Sequence, residues 1–195
     1  MQHEYYDIVI DAQHPLFNLS CWDGIRFEQC RFEGLNLPKN QWRYCVFDEC
    51  EFSHCDLSML GLNNSQFHSA LFSDCKLLGI DWAHADWSAN LGDSPKFTRC
   101  LLDAGSFFGL NLQGLCMIDC KVHDVDFSEG VFIKAIFCGS ELTHSRFHNT
   151  DLRQADFTEV QNYHIDIRHN RLDKARFSRI EALGLLDSLG IELVE

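Results

Sequence analysis

Ten cysteines, ten histidines and 29 acidic residues set against 16 basic ones carry the chemistry of this 195-residue chain. Thiols and imidazoles in such numbers could hold zinc, cross-link an oxidised framework, or supply a nucleophile and its base. Their spacing argues otherwise. No Cys-x2-Cys pair occurs, and seven thiols (Cys30, Cys45, Cys50, Cys55, Cys75, Cys100, Cys120) recur at multiples of five, which scatters them along the chain. The same positions accept Ala70, Ser65, Gly105, Val125, Leu110 and Ile80. A site that takes Cys, Ala or Ser selects a small buried group, and free cysteine is among the most buried residue types. No metal and no cofactor is expected. The histidines fall mainly on outward sites (His54, His68, His84, His123, His144, His148), with no nucleophile, oxyanion or phosphate-loop motif beside them. The chain is therefore read as a non-enzyme with no catalytic residues, His144 with His148 being the pair that could meet across coils.

What positions these groups is a period of five. From Phe17 to Phe157, 28 of the 29 positions spaced by five are apolar, Gly92 being the exception, and they hold all four tryptophans and 14 of the 16 phenylalanines. Neither a helix nor a strand has this period, so it belongs to a supersecondary repeat. A large centre and a small residue two before it describe one side of a squared coil. Four sides close a turn, residues 20 apart stack about 4.8 Å apart, and the series makes roughly seven turns. On this sorting the third side is an aromatic core column: Phe27, Phe47, Phe67, Trp87, Phe107, Phe127 and Phe147.

The pattern breaks in two places. Residues 88–96, with Asn90, Gly92, Asp93 and Pro95, spell a turn or loop, and because phase resumes at Phe97 the excursion is expected to substitute for one repeat. It reads either as a bulge or as a partner-contacting loop. At 160–165 Asn162 takes a centre, after which Ile167, Leu172 and Phe177 recover the phase, giving a final irregular turn. The β-helix is thus expected over 1–177. Over 178–195, Ser178 to Glu181 reads as a capping box, Ile180, Leu183, Leu186 and Leu189 follow at α-helical spacing, Gly190 stops the helix, and Ile191 to Val194, with Leu193, forms a short strand. This segment hides the open end of the solenoid by capping it or by dimerising.

Net charge is −13. That disfavours direct binding to nucleic acid and suits a basic protein partner. By side, the acids gather on two adjacent ones: Asp81, Asp103, Asp124 and Glu141 on the second, Asp86, Asp126 and Glu129 on the third. Ile118, Ile136 and Cys138, with Val131 and Ile133 on the next side, are apolar where the pattern faces water, and are expected to receive the C-terminal helix of the same chain or of a partner. No segment has the length of a membrane span or the character of a signal peptide, so a cytoplasmic location is expected.

Stretches such as Cys50 to Leu57, Thr150 to Gln154 and Ala155 to Thr158 resemble the pentapeptide-repeat motif A(D/N)Lxx, over about three quarters of the chain. The resemblance implies an all-β fold, a right-handed quadrilateral β-helix, here with a short C-terminal capping or dimerisation α-helix. Within that superfamily the Phe- and Cys-rich coils, the run Asn111 to Met117 and the ending Leu185 to Leu193 resemble the Qnr quinolone-resistance and topoisomerase-poison immunity proteins (MfpA-like, microcin-immunity-like). This implies a homodimeric DNA mimic that binds bacterial DNA gyrase or topoisomerase IV and protects it from quinolones or related poisons. Several members carry a longer loop where this chain has only 88–96. Peptide-toxin immunity, plain gyrase inhibition, and a scaffold for another basic protein therefore stay open.

Overall fold

Five-residue sides close one turn bond of their own, as from Leu60 N–H to the Leu57 carbonyl, and the structure, a computed structural model, shows their other backbone groups paired with adjacent coils. It describes residues 4–88 and 93–191. Parallel pairs join Trp22 to Trp42, Phe27 to Phe47 to Phe67, and Phe32 to Phe52 to Phe72, all 20 residues apart. Single parallel bridges continue the ladder, as from Leu101 to Lys121 to Glu141 to Gln161. The result is a right-handed quadrilateral β-helix of about eight turns with one short helix.

The corners explain why five residues make a side. The second residue after most centres sits in the left-handed region, with φ of 61° at Gly24, 54° at Asn64, 53° at Asp119 and 70° at Gly109. Glycine reaches that region without strain and Asn or Asp at little cost. At Gly79 the requirement is double, because a Cβ there would also run into Met59 Sδ.

Inside, rings stack along the axis. Trp22 lies on Trp42 at 4.9 Å, Phe27 on Phe47 at 5.1 Å, Phe32 on Phe52 at 4.4 Å and Phe127 on Phe147 at 4.9 Å, each pair within about 10° of parallel. The seven cysteines two before a centre are at most 2% exposed. Their role exceeds size: the N–H groups of Cys45 and Cys120 donate to Ser65 Oγ and Ser140 Oγ, and those of Cys55 and Cys100 to Cys75 Sγ and Cys120 Sγ, 20 residues on. A small polar side chain from one coil thus satisfies an N–H of the coil before it.

Three expectations need correction. First, the 88–96 excursion adds to the coil instead of replacing a repeat: Phe72 pairs with Phe97, and Asp81 bridges to Ser106, 25 residues apart. Five inserted residues leave a period of five intact, so the sequence cannot distinguish addition from substitution. Beyond it every residue moves back one side, and the expected aromatic column splits. Phe67 neighbours the half-buried Trp87 at 6.1 Å, whereas Phe107, Phe127 and Phe147 continue the column of Trp82, which stacks on Phe107 at 5.6 Å.

Second, the first coil, inside the expected 1–177, is out of the fivefold phase, and Phe17 does not take its centre. Glu4 pairs with Arg26 and Val9 with Arg31, 22 residues apart, the two extra residues being taken up around a 3-10 turn at Pro15–Asn18. There Leu16 takes the buried place and Phe17 is half-buried. Third, the C-terminal helix is a 3-10 helix over Glu181–Leu189, not an α-helix, and it has no side-chain cap. The expected capping serine, Ser178, instead accepts the N–H of Glu159 through its Oγ at 2.9 Å. The irregular turn at 160–165 keeps register, with Asp151 bridging to Arg171 and Phe157 pairing with Phe177.

Candidate functional site

Because the interior is filled, chemistry is confined to the four faces, corners and ends. The first face is centred on Leu37, Leu57, Leu77, Leu102, Val122 and Leu142, the second on Trp22, Trp42, Leu62, Trp82, Phe107, Phe127 and Phe147. The third runs from Tyr5 through Phe27, Phe47 and Phe67 to Leu112, Phe132, Leu152 and Leu172, and the fourth from Ile10 through Phe32 and Phe97 to Phe177. Register therefore redistributes the expected acidic residues. Asp103, Asp124 and Glu141 lie on the first face, Asp81, Asp126 and Glu129 on the second, and Asp86 alone on the third.

They are not brought together into one stripe, and none stands bare. Asp81 meets His84 at 3.1 Å, Asp124 meets His144 at 3.6 Å, and His123 lies between Asp103 (3.7 Å) and Glu141 (3.2 Å). Asp126 pairs with Arg146 at 2.7 Å, and Asn149 Nδ2 donates to Glu129 at 2.9 Å. Asp86 accepts from Ser88 and from Gln66, whose dipoles hold its carboxyl below the usual range. His123 and Thr143 do the same for Glu141. The histidine–carboxylate pairs were missed from sequence, although Asp103 to His123 and Asp124 to His144 are 20-residue spacings and so were legible.

The largest acidic excess lies elsewhere. On the N-terminal half of the third face and its corner, Glu4, Asp7, Glu28, Asp48, Glu49, Asp86 and Asp93 stand against Arg26, a net −6. Its C-terminal half carries Lys134, Arg153, Arg171 and Lys174 against Asp151 and Asp173, a net +2. Asp151, clasped by Arg153 at 2.7 Å and Arg171 at 3.3 Å, is itself buried. The face is thus a charge gradient, visible only once the inserted residues are placed outside the coil count.

Of the expected loop residues, Asn90 and Gly92 lie outside the described residues. Asp93 is exposed and Pro95 is buried. The far end of the loop is tied on both sides: Asp93 N–H donates to Ser69 Oγ at 3.0 Å, and Ser94 Oγ donates to the Gln113 carbonyl at 2.8 Å. Of the expected dimerisation residues, Ile180, Leu183, Leu189 and Ile191 are exposed, by 79% at Ile180, while Leu186 is half-buried and Leu193 lies outside the described residues. Leu185 packs the helix onto the core. In the apolar patch Ile136 stays 38% exposed, so the chain's own helix leaves it open.

Among the described residues no group of three or more His, Cys, Asp or Glu side chains is arranged to hold a metal ion, and no helix is long and apolar enough to cross a membrane.

Residues 22–107 match a family described as a pentapeptide repeat region, and residues 120–158 match pentapeptide repeats in eight copies. No curated protein matches the chain. Among solved structures, trypsin-treated QnrB1, a plasmid-mediated fluoroquinolone resistance protein, is 20% identical with all of both chains covered and a TM-score of 0.52. Full-length QnrB1 is 18% identical, with 96% of this chain and 100% of that one covered and a TM-score of 0.57. At these identities the likeness is one of fold.

Proposed function

The chain belongs to the pentapeptide-repeat family, and from that premise we propose that it is a non-enzymatic anionic rod that docks on a bacterial type II topoisomerase, DNA gyrase or topoisomerase IV, in place of DNA. Docking shields the enzyme from fluoroquinolones or related poisons. The observation that carries this reading is the net −6 on the N-terminal half of the third face. Those acids span five stacked coils, roughly 19 Å at the strand spacing, or one net charge per ~3 Å. Duplex DNA carries one per about 1.7 Å. Roughly half the charge density of DNA, on a rigid rod, suits a groove built to bind phosphates. The likeness to a fluoroquinolone resistance protein supports the choice of enzyme.

Supercoiling by purified gyrase, with and without a fluoroquinolone, tests it directly. The rod is expected to restore supercoiling in the presence of the drug, and Asp48→Lys with Glu49→Lys is expected to abolish the effect while leaving the fold intact. Inhibition at all doses with no window of protection leaves a gyrase inhibitor. No effect on gyrase or topoisomerase IV at low salt sinks the topoisomerase reading and leaves a scaffold for another basic protein.

A further inference from the structure

A second surface behaves differently from the third face. On the C-terminal halves of the first and second faces the fixed charges are Asp103, Asp124, Asp126, Glu129, Glu141 and Asp166 against Lys121, Arg146 and Arg168, a net −3. The same coils carry His123, His144, His148, His164 and His169. Four of them have partners that are acidic or histidine. His123 sits between Asp103 and Glu141, His144 faces Asp124, and His169 Nδ1 meets Asp166 at 2.9 Å. His148 lies against His169 with ring centroids 5.2 Å apart.

Two facts make this arrangement proton-sensitive. His123 has a carboxylate within ion-pair distance of each ring nitrogen, Asp103 at 3.7 Å and Glu141 at 3.2 Å, so a proton gained there sits between two negative charges. Five added protons would also change the net charge of this surface from −3 to +2. Three of the carboxylates are held away from that titration. Glu141 is held low by His123 and Thr143, Asp126 by Ser128 and Arg146 against the cost of burial, and Asp166 by Arg168 and His169. They stay ionised through the window in which imidazoles change charge, pH 5 to 8. Among the described residues, the acidic half of the third face has His68, buried beside Asp86, and His14, which packs edge-on against Tyr5.

We infer that the C-terminal halves of the first and second faces form a proton-gated docking surface for a basic protein segment, attractive above neutrality and repulsive after acidification. The inference rests on the reading of the partner as basic, but not on its being a topoisomerase. It gives the molecule two acidic surfaces of different kind: one constant, one that lets go of a cation as protons bind.

A fluorescent decalysine peptide is the probe, with binding followed by anisotropy at low salt at pH 7.5 and 5.5. The full chain is compared with the variant His123→Asn, His144→Asn, His148→Asn and His169→Asn. The natural chain is expected to lose about tenfold in affinity across that range, and the variant less than about threefold, as expected when imidazoles carry the charge change. Circular dichroism at both pH values establishes that both proteins are folded. Equal losses in the two proteins, or no loss in the natural chain, would overturn the inference. If the decalysine result holds and gyrase is bound at neither pH, the topoisomerase reading fails and this one stands.

Discussion

At the scale of single residues, the thiols show how position rather than type decides chemistry. Burial pushes Cys45 up to about 11 and Cys50 up to about 12, so neither is a thiolate at neutral pH. The seven in the small inward position are closed off by the coils above and below, whereas Cys21, Cys116 and Cys138 are half-buried on the outer surface. Alkylation of the native protein at pH 8 is therefore expected to modify three cysteines, identified by mass spectrometry as Cys21, Cys116 and Cys138, and all ten only in denaturant. Fast modification of Cys55 or Cys100 in the native state would mean that the coils open. Sequence alone placed these seven inside, from the company they keep with Ala and Ser. It did not reveal that Sγ of one coil accepts an N–H of the coil before it, because that contact joins residues 20 apart whose partnership requires the stack to be known.

At the scale of elements, the side is the unit and the extra side is the informative failure. Period five was legible because each side has one large and one small inward residue, and the corners reinforce it with residues tolerant of positive φ, such as Gly109 and Asn64. Register was not, because an added side has the same length as a native one. The structure nevertheless suggests how to remove it. Joining Trp87 to Asp93 by deleting 88–92 leaves Ala85, Asp86, Trp87, Asp93 and Ser94 as an ordinary side, with Pro95 and Phe97 already in place. Trp87 is half-buried beside Phe67 and donates its indole N–H to the Trp82 carbonyl at 2.9 Å, so it can serve as the centre. The shortened protein is expected to melt cooperatively within about 3 °C of the parent, because shortening a connection by five residues changes closure entropy by well under 1 kcal/mol. A drop beyond about 10 °C would place the deleted residues in the core. If it folds and no longer protects gyrase, the loop is a recognition element; if protection survives, the faces suffice.

At the scale of the whole molecule, an open solenoid has two ends, and they are finished unequally. The N-terminal coil closes over Phe27 with Tyr5, stacked at 5.4 Å, and a 3-10 turn. At the other end the 3-10 helix anchors through Leu185 but leaves Ile180, Leu183, Leu189 and Ile191 facing outward, an apolar surface that a monomer would leave to water. Pairing two chains through these helices about a two-fold axis would cover both surfaces at once and double the length of the rod. Sedimentation of the natural chain is expected to give a dimer, and Leu183→Asp with Leu189→Asp a monomer that retains the β-helix spectrum. The open patch around Ile136 on the fourth face is the competing site. A dimer that survives the helix variant but dissociates with Ile136→Asp would move the interface to that patch and put the rods side by side. Two rods joined end to end place their acidic N-terminal halves at the far ends of one axis, with the basic C-terminal halves of the third face between them; two rods joined through the fourth face make a short, broad body, a shape that no longer follows the path of a duplex.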